Sequence, residues 1–177
     1  MRERSWRKWE ICGLFFVIGA GNLLHFVYEW SGENPVVAAL SGVNESTWEH
    51  MKLLAMPWIA WTVVQLLAQR DSVGVLSARA AGLLVGLAAI PALFYTYTGI
   101  LGRSISLVNI IIFQIAVLLA FAVSFLLQKG YRLTGLGWQL LGGVVLVTAV
   151  VLFVWWTYQP PQLPLFVDPV TGVSGRA

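Results

Sequence analysis

The chain has 177 residues, 58% of them hydrophobic and only 11% charged, with a formal charge of +3. A water-soluble domain carries about 25% charged residues, so this composition excludes a self-solvating globule and points to a lipid bilayer. The positive charge comes largely from Arg2, Arg4, Arg7 and Lys8, a topology signal that requires no nucleic acid, and the single Cys12 excludes an internal disulfide or a cysteine-based zinc site.

A helix rises about 1.5 Å per residue through a hydrocarbon layer of ~30 Å, so apolar runs near 20 residues mark spanning helices. The sequence predicts an all-α polytopic bundle with five spans, at about 10–30, 46–68, 78–101, 105–128 and 136–158. These form one domain over residues 1–159, followed by a Pro-rich tail over 160–177. Alternating segments of a β-barrel are absent. The first run, Ile11 to Trp30, is long enough to span and is followed by no small-residue cleavage site, so it reads as a retained helix rather than a signal peptide. It ends in "NLLHFVYEW", which brings Asn22, His25 and Glu29 to its far end.

The first connection, "SGENPVVAALSG" from Ser31 to Gly42, is mildly apolar between Gly and Pro breaks and serves as a passive loop or as a cover. The second span opens on "VNESTWEHMKLL". Pro57 and Pro91 bend the second and third spans by freeing a carbonyl one turn earlier. Gly82-x-x-x-Gly86 fits the pattern that lets membrane helices approach closely, within one chain or in a homodimer. The tail, "QPPQLPLFVDPVTGVSG", cannot be helical throughout. Its Leu163, Leu165, Phe166 and Val167 are expected to pack on the bundle, with Asp168 either reaching the polar end or closing a solvated Asp-Pro turn.

Basic residues in short loops stay cytoplasmic. Arg2, Arg4, Arg7 and Lys8 precede the first span, Arg70 and Arg79 flank the second connection, and Lys129 and Arg132 lie in the fourth. This bias puts the N-terminus inside and the C-terminus outside. His25 then lies five residues before the end of the first span and His50 a similar distance into the second, so the helical rise sets both at roughly 6–9 Å below the outer boundary.

Ionisable groups are costly in a membrane and normally face a protein interior or a wet cavity. His25 and Glu29 are four apart and share a face; Glu45 and Glu49 share another, continued by Lys52, while His50 points about 100° away from Glu49. One reading is a metal centre: His25 and His50 with one or two of Glu29, Glu45 and Glu49 as ligands, Glu29 and Glu49 foremost, and zinc or iron as the cofactor. Glu49 or Glu29 would then be the catalytic base toward metal-bound water. The other is a structural or proton-carrying network. Ser46-x-x-Glu49 is also a capping box, first-turn carboxylates suit the helix dipole, Trp30 and Trp48 suit the interface, and Lys52 can pair with Glu49 or snorkel. Haem between the two histidines is disfavoured by the adjacent carboxylates.

At these residues the chain resembles a family of small, uncharacterised bacterial integral membrane proteins, a domain of unknown function. The resemblance rests on "HFVYEWSG", "VNESTWEHMKL" with its following Pro57, and "PLFVDPVTG". It covers both ends of the chain and the first two spans; the middle helices match only in being apolar. Val173 and Ser174 replace the Tyr-bearing ending expected of the family. The resemblance implies a location in the bacterial cytoplasmic membrane. It implies His25, Glu29, Asn44, Glu45, Trp48, Glu49, His50, Lys52 and Asp168 as site residues, and it carries no activity. The resulting expectation is a membrane protein with an outward-facing His/Glu site, metal-binding and hydrolytic on a lipid or lipid-linked ligand. The rivals are a proton-coupled carrier and a non-catalytic accessory or sensor subunit. Carriers place their ionisable residues near the midplane, where only Gln114 is polar here.

Overall fold

The computed structural model of the chain describes residues 2–69 and 73–175. It is all-helical: α1 (Arg2–Trp30), α2 (Pro35–Ala38), α3 (Thr47–Ala68), α4 (Val75–Leu101), α5 (Ser106–Lys129) and α6 (Leu136–Tyr158), followed by a 3₁₀ turn, η1 (Pro164–Phe166). Five of the helices, α1 from Trp6 and all of α3, α4, α5 and α6, are long and apolar enough to cross a membrane. Their limits match the expected spans within a few residues. The exception is α1, which begins at Arg2, because Arg, Glu and Lys are good helix formers and extend the helix beyond its apolar stretch.

α3 is apolar on all sides, the pattern of a helix enclosed by others. It touches α1, α4, α5, α6 and η1, and Leu54, Trp58, Thr62 and Gln65 on it are fully buried. The glycine pattern in α4 serves a contact inside the bundle. A methyl group on Gly82 would lie 2.5 Å from the Ala120 carbonyl oxygen of α5 and 2.9 Å from the Trp58 ring, so only glycine permits that approach.

One end of the bundle carries a buried polar cluster that sequence reasoning missed. Arg79, expected beside the second connection as a topology marker, instead lies inside α4 with no exposed surface. Its Nη2 is 2.9 Å from Glu10 Oε1 of α1, and its Nε and Nη2 donate to Gln65 Oε1 at 3.0 and 2.6 Å. Gln128 Nε2 donates to the same Glu10 oxygen at 2.5 Å. The guanidinium is stacked between Trp58 and Phe121, 4.9 Å from each ring centre. A planar, delocalised cation with a fixed donor fork suits such enclosure better than an ammonium would. Arg79 therefore ties α1, α3, α4 and α5 together. Arg70 and Arg176 lie outside the described residues, as do the side chains of Arg2 and Arg4.

Candidate functional site

The other end of the bundle gathers the residues that the sequence singled out. Ser46 caps α3, its hydroxyl accepting from the Glu49 N–H at 3.3 Å. Asn44 holds the approach, its Oδ1 accepting from the Ser46 N–H at 2.9 Å and its Nδ2 donating to the Gly175 carbonyl of the tail at 2.8 Å. The capping box is thus only half built: Asn44, not Glu49, satisfies the Ser46 N–H. This geometry aims Glu45 at the end of α1.

There Glu45 bridges the two histidines. His25 Nε2 lies 3.3 Å from Glu45 Oε1, and His50 Nε2 lies 3.6 Å from Glu45 Oε2. The imidazole rings stand edge to face with centres 5.6 Å apart. The expected side-by-side placement of the α1 and α3 tips is therefore the arrangement found. His50 Nδ1 is 2.9 Å from the Ser46 carbonyl, which can only accept, so that nitrogen carries a proton. The imidazole N–H of His25 holds the Glu45 carboxyl below the ordinary carboxylate range, outweighing the upward push of desolvation.

One donor atom from each of His25, Glu45 and His50 lies within 4.8 Å of the others. Ligands on a tetrahedral zinc at 2.0–2.1 Å stand roughly 3.3 Å apart, so a small closure would seat an ion. A carbonyl oriented on the far nitrogen of a histidine is also what a metal-binding imidazole normally has.

Two residues expected among the ligands are placed elsewhere. Glu49 faces away from the histidines, because consecutive residues on a helix diverge by about 100°. Its Oε2 pairs with Lys52 Nζ at 2.5 Å and accepts from the Val43 N–H at 3.1 Å. Lys52 in turn donates to the Ala38 carbonyl at the end of α2 and to Thr157 Oγ1 of α6, each at 2.8 Å. That pair clamps the first connection onto the bundle, and Tyr158 adds a bond from its hydroxyl to the Pro35 carbonyl at 2.5 Å. The connection is thus tied to the bundle at Pro35 and Ala38, while most of its residues stay exposed. Glu29 is exposed and lies outside the ligand group, but it lines a small cavity of about 50 Å³ together with His25, Tyr28, Asn44 and Glu45.

The tail completes the site from behind. Phe166 packs on Trp48 and Trp156, with ring centres 4.8 and 5.5 Å away, so Trp48 is a packing residue. Leu163 and Val167 stay exposed. Asp168 is buried, not solvated. It accepts from the Val170 N–H at 2.7 Å and the Thr171 hydroxyl at 2.9 Å, and the Glu45 backbone N–H adds a smaller pull toward its ionised form. Burial pushes its carboxyl up, but these donors together hold it below its ordinary value. Asp168 therefore braces the tail turn that lies beside Glu45.

On its other side the His25–Glu45–His50 group opens into a larger cavity of about 280 Å³ between α1 and α5, walled mainly by Gly21, Phe26, Leu53, Ile110 and Phe113. The group separates a polar cavity from an apolar one. Glu45, one of three carboxylates that the sequence offers as partners of the histidines, is the shared one. Its position one residue before the cap, where no helical periodicity applies, left the choice among the three open.

A search of curated proteins and a search of solved structures each found no match. A family profile described as "Family of unknown function (DUF6512)" matches residues 1–176. Since that match spans nearly the whole sequence, the chain belongs to this family of unknown function.

Proposed function

We propose that the protein is a multi-pass membrane enzyme in which His25, Glu45 and His50 hold a divalent metal, zinc in preference to iron, for hydrolysis of a lipid-type substrate. The observation that carries this reading is the geometry around the His50 ring, which faces a carbonyl on one nitrogen and a carboxylate on the other. With Nδ1–H given to Ser46, a neutral His50 turns the lone pair of Nε2 toward Glu45 Oε2 at 3.6 Å. Two acceptors face each other there, and a cation between them converts repulsion into coordination. Two imidazoles and one carboxylate are the ligand set of catalytic zinc with a position left for water.

A metal held there would lower the pKa of a bound water. Glu29, across the adjoining polar cavity, would accept the water's proton and pass it to the alkoxide that leaves as the water oxygen bonds to the substrate carbonyl carbon and the ester C–O bond breaks. The charge bias of the sequence supports a cytoplasmic N-terminus, with the site opening at the outer face of the bacterial cytoplasmic membrane.

The test is elemental analysis of protein purified from metal-supplemented cells. One zinc or iron per chain is expected, lost in His25→Ala and Glu45→Gln and kept in Glu29→Gln. The last variant should lose turnover of a lipid ester by about 10²–10⁴-fold. Folded protein that takes up no metal overturns the reading and leaves a proton-carrying or accessory role.

A further inference from the structure

We propose that the ligand is a single-chain amphiphile that enters sideways between α1 and α5, with its head at His25–Glu45–His50 and part of its acyl chain in the adjoining cleft. This deepens the hydrolytic reading, but rests on it only for what happens to the head.

Three observations carry it. First, the 280 Å³ cleft is continuous with the polar group, and its wall is mostly apolar, from Gly21, Phe26, Leu53, Ile110 and Phe113. That volume equals roughly ten groups of water size, which accommodates a stretch of one acyl chain and not two chains side by side. Second, the mouth lies on the apolar flank of the bundle. Phe26 and Ile110 at its edges are about half exposed, at 48% and 51%, and Leu23 and Leu107 beside them are exposed as well. A ligand reaching the cleft through that flank must already be dissolved among lipid chains. Third, the titratable side chains that line the cleft are His25, Glu45 and His50, and its other polar lining, Asn22, Ser106 and Asn109, is neutral. The Asn109 amide is occupied on both sides, by the Tyr97 hydroxyl and by Ser104 Oγ, so the histidine–carboxylate group is the end to which a head is drawn. The floor is closed by the Phe113 ring resting on Gly21, where a methyl group would come within 2.4 Å of it. The depth is therefore limited to about one helical turn beyond His25, since Gly21 is four residues away and the rise is ~1.5 Å per residue. The rest of the chain emerges laterally into the bilayer.

Lipid chains gain little by leaving one apolar medium for another, so the cleft selects by shape while the head supplies the attraction. The probe is palmitic acid carrying a mid-chain diazirine, added to the protein in phosphatidylcholine nanodiscs, with and without zinc. Photolabelled peptides are then mapped by mass spectrometry. Labels at residues 21–26 and 106–113 should exceed those on the exposed α6 face at Val144, Val147 and Val151 by about fivefold or more. Unlabelled palmitic acid should compete and acetate should not. Ile110→Trp, which enlarges an exposed side chain at the mouth, should remove the excess while leaving metal content unchanged. Even labelling of all lipid-facing helices, or an excess that Ile110→Trp does not reduce, overturns the proposal. Selective labelling of protein that binds no metal sustains the cleft while sinking the metal reading; metal uptake with even labelling does the reverse.

Discussion

Replacing Lys52 by methionine separates the clamp from the chemistry. Methionine keeps an unbranched stem of similar length but removes Nζ, and with it the partner of Glu49, Ala38 O and Thr157 Oγ1. Lys52 has no exposed surface and Glu49 almost none, so neither water nor salt compensates. Removing one partner of such a buried pair destabilises by about 3–5 kcal/mol, chiefly because the other charge is left enclosed and alone. In a chain of this length each kcal/mol lowers the melting temperature by about 2–4 °C, which gives a fall of roughly 6–20 °C. The assay is thermal unfolding in detergent followed by tryptophan fluorescence. Glu49→Gln in the same background removes the stranded charge and still accepts from the Val43 N–H, so the double variant should be less destabilised than the sum of the two singles. A Lys52→Met shift within about 3 °C, or strict additivity, refutes the clamp. A stably folded Glu49→Gln variant without metal would instead return Glu49 to the ligand set.

Two further outcomes are expected. Arg79→Lys should lower the melting temperature markedly, because an ammonium cannot reproduce the fork to Glu10 and Gln65 or the stack between Trp58 and Phe121. Metal content should be unchanged, since that cluster lies at the far end of the bundle; loss of metal would show coupling between the ends. For the tail, the Asp168 carboxyl is held below its ordinary value, which is about 3.9. A depressed carboxyl stabilises fully above the unfolded value and loses that contribution as pH falls through the folded one. Hydrogen exchange of residues 166–175 should therefore be unchanged from pH 7 to 5 once corrected for intrinsic rates, and rise below about pH 4. Asp168→Asn should loosen the tail at pH 5 to 7 and flatten its pH dependence, and an unaltered exchange rate there would deny Asp168 its bracing role.

The sequence by itself determined the membrane-compatible helical architecture and nearly all its helix limits. Composition, run length and the helical rise act locally, and no tertiary contact is needed to read them. It also determined that His25 and His50 fall at one depth, because that follows from counting residues on either side of a short connection. Only the tertiary structure decided which carboxylate joins them. Helix rotation and the path of the segment before α3 turn Glu49 into the bundle against Lys52 and bring Glu45, outside any helix, between the imidazoles. The same is true of Arg79. Its position near a loop reads as a solvated charge until Glu10, 69 positions earlier in the chain, is brought within 2.9 Å of it. Long-range pairing of ionised groups depends on how helices pack and rotate, and no single-helix pattern encodes it.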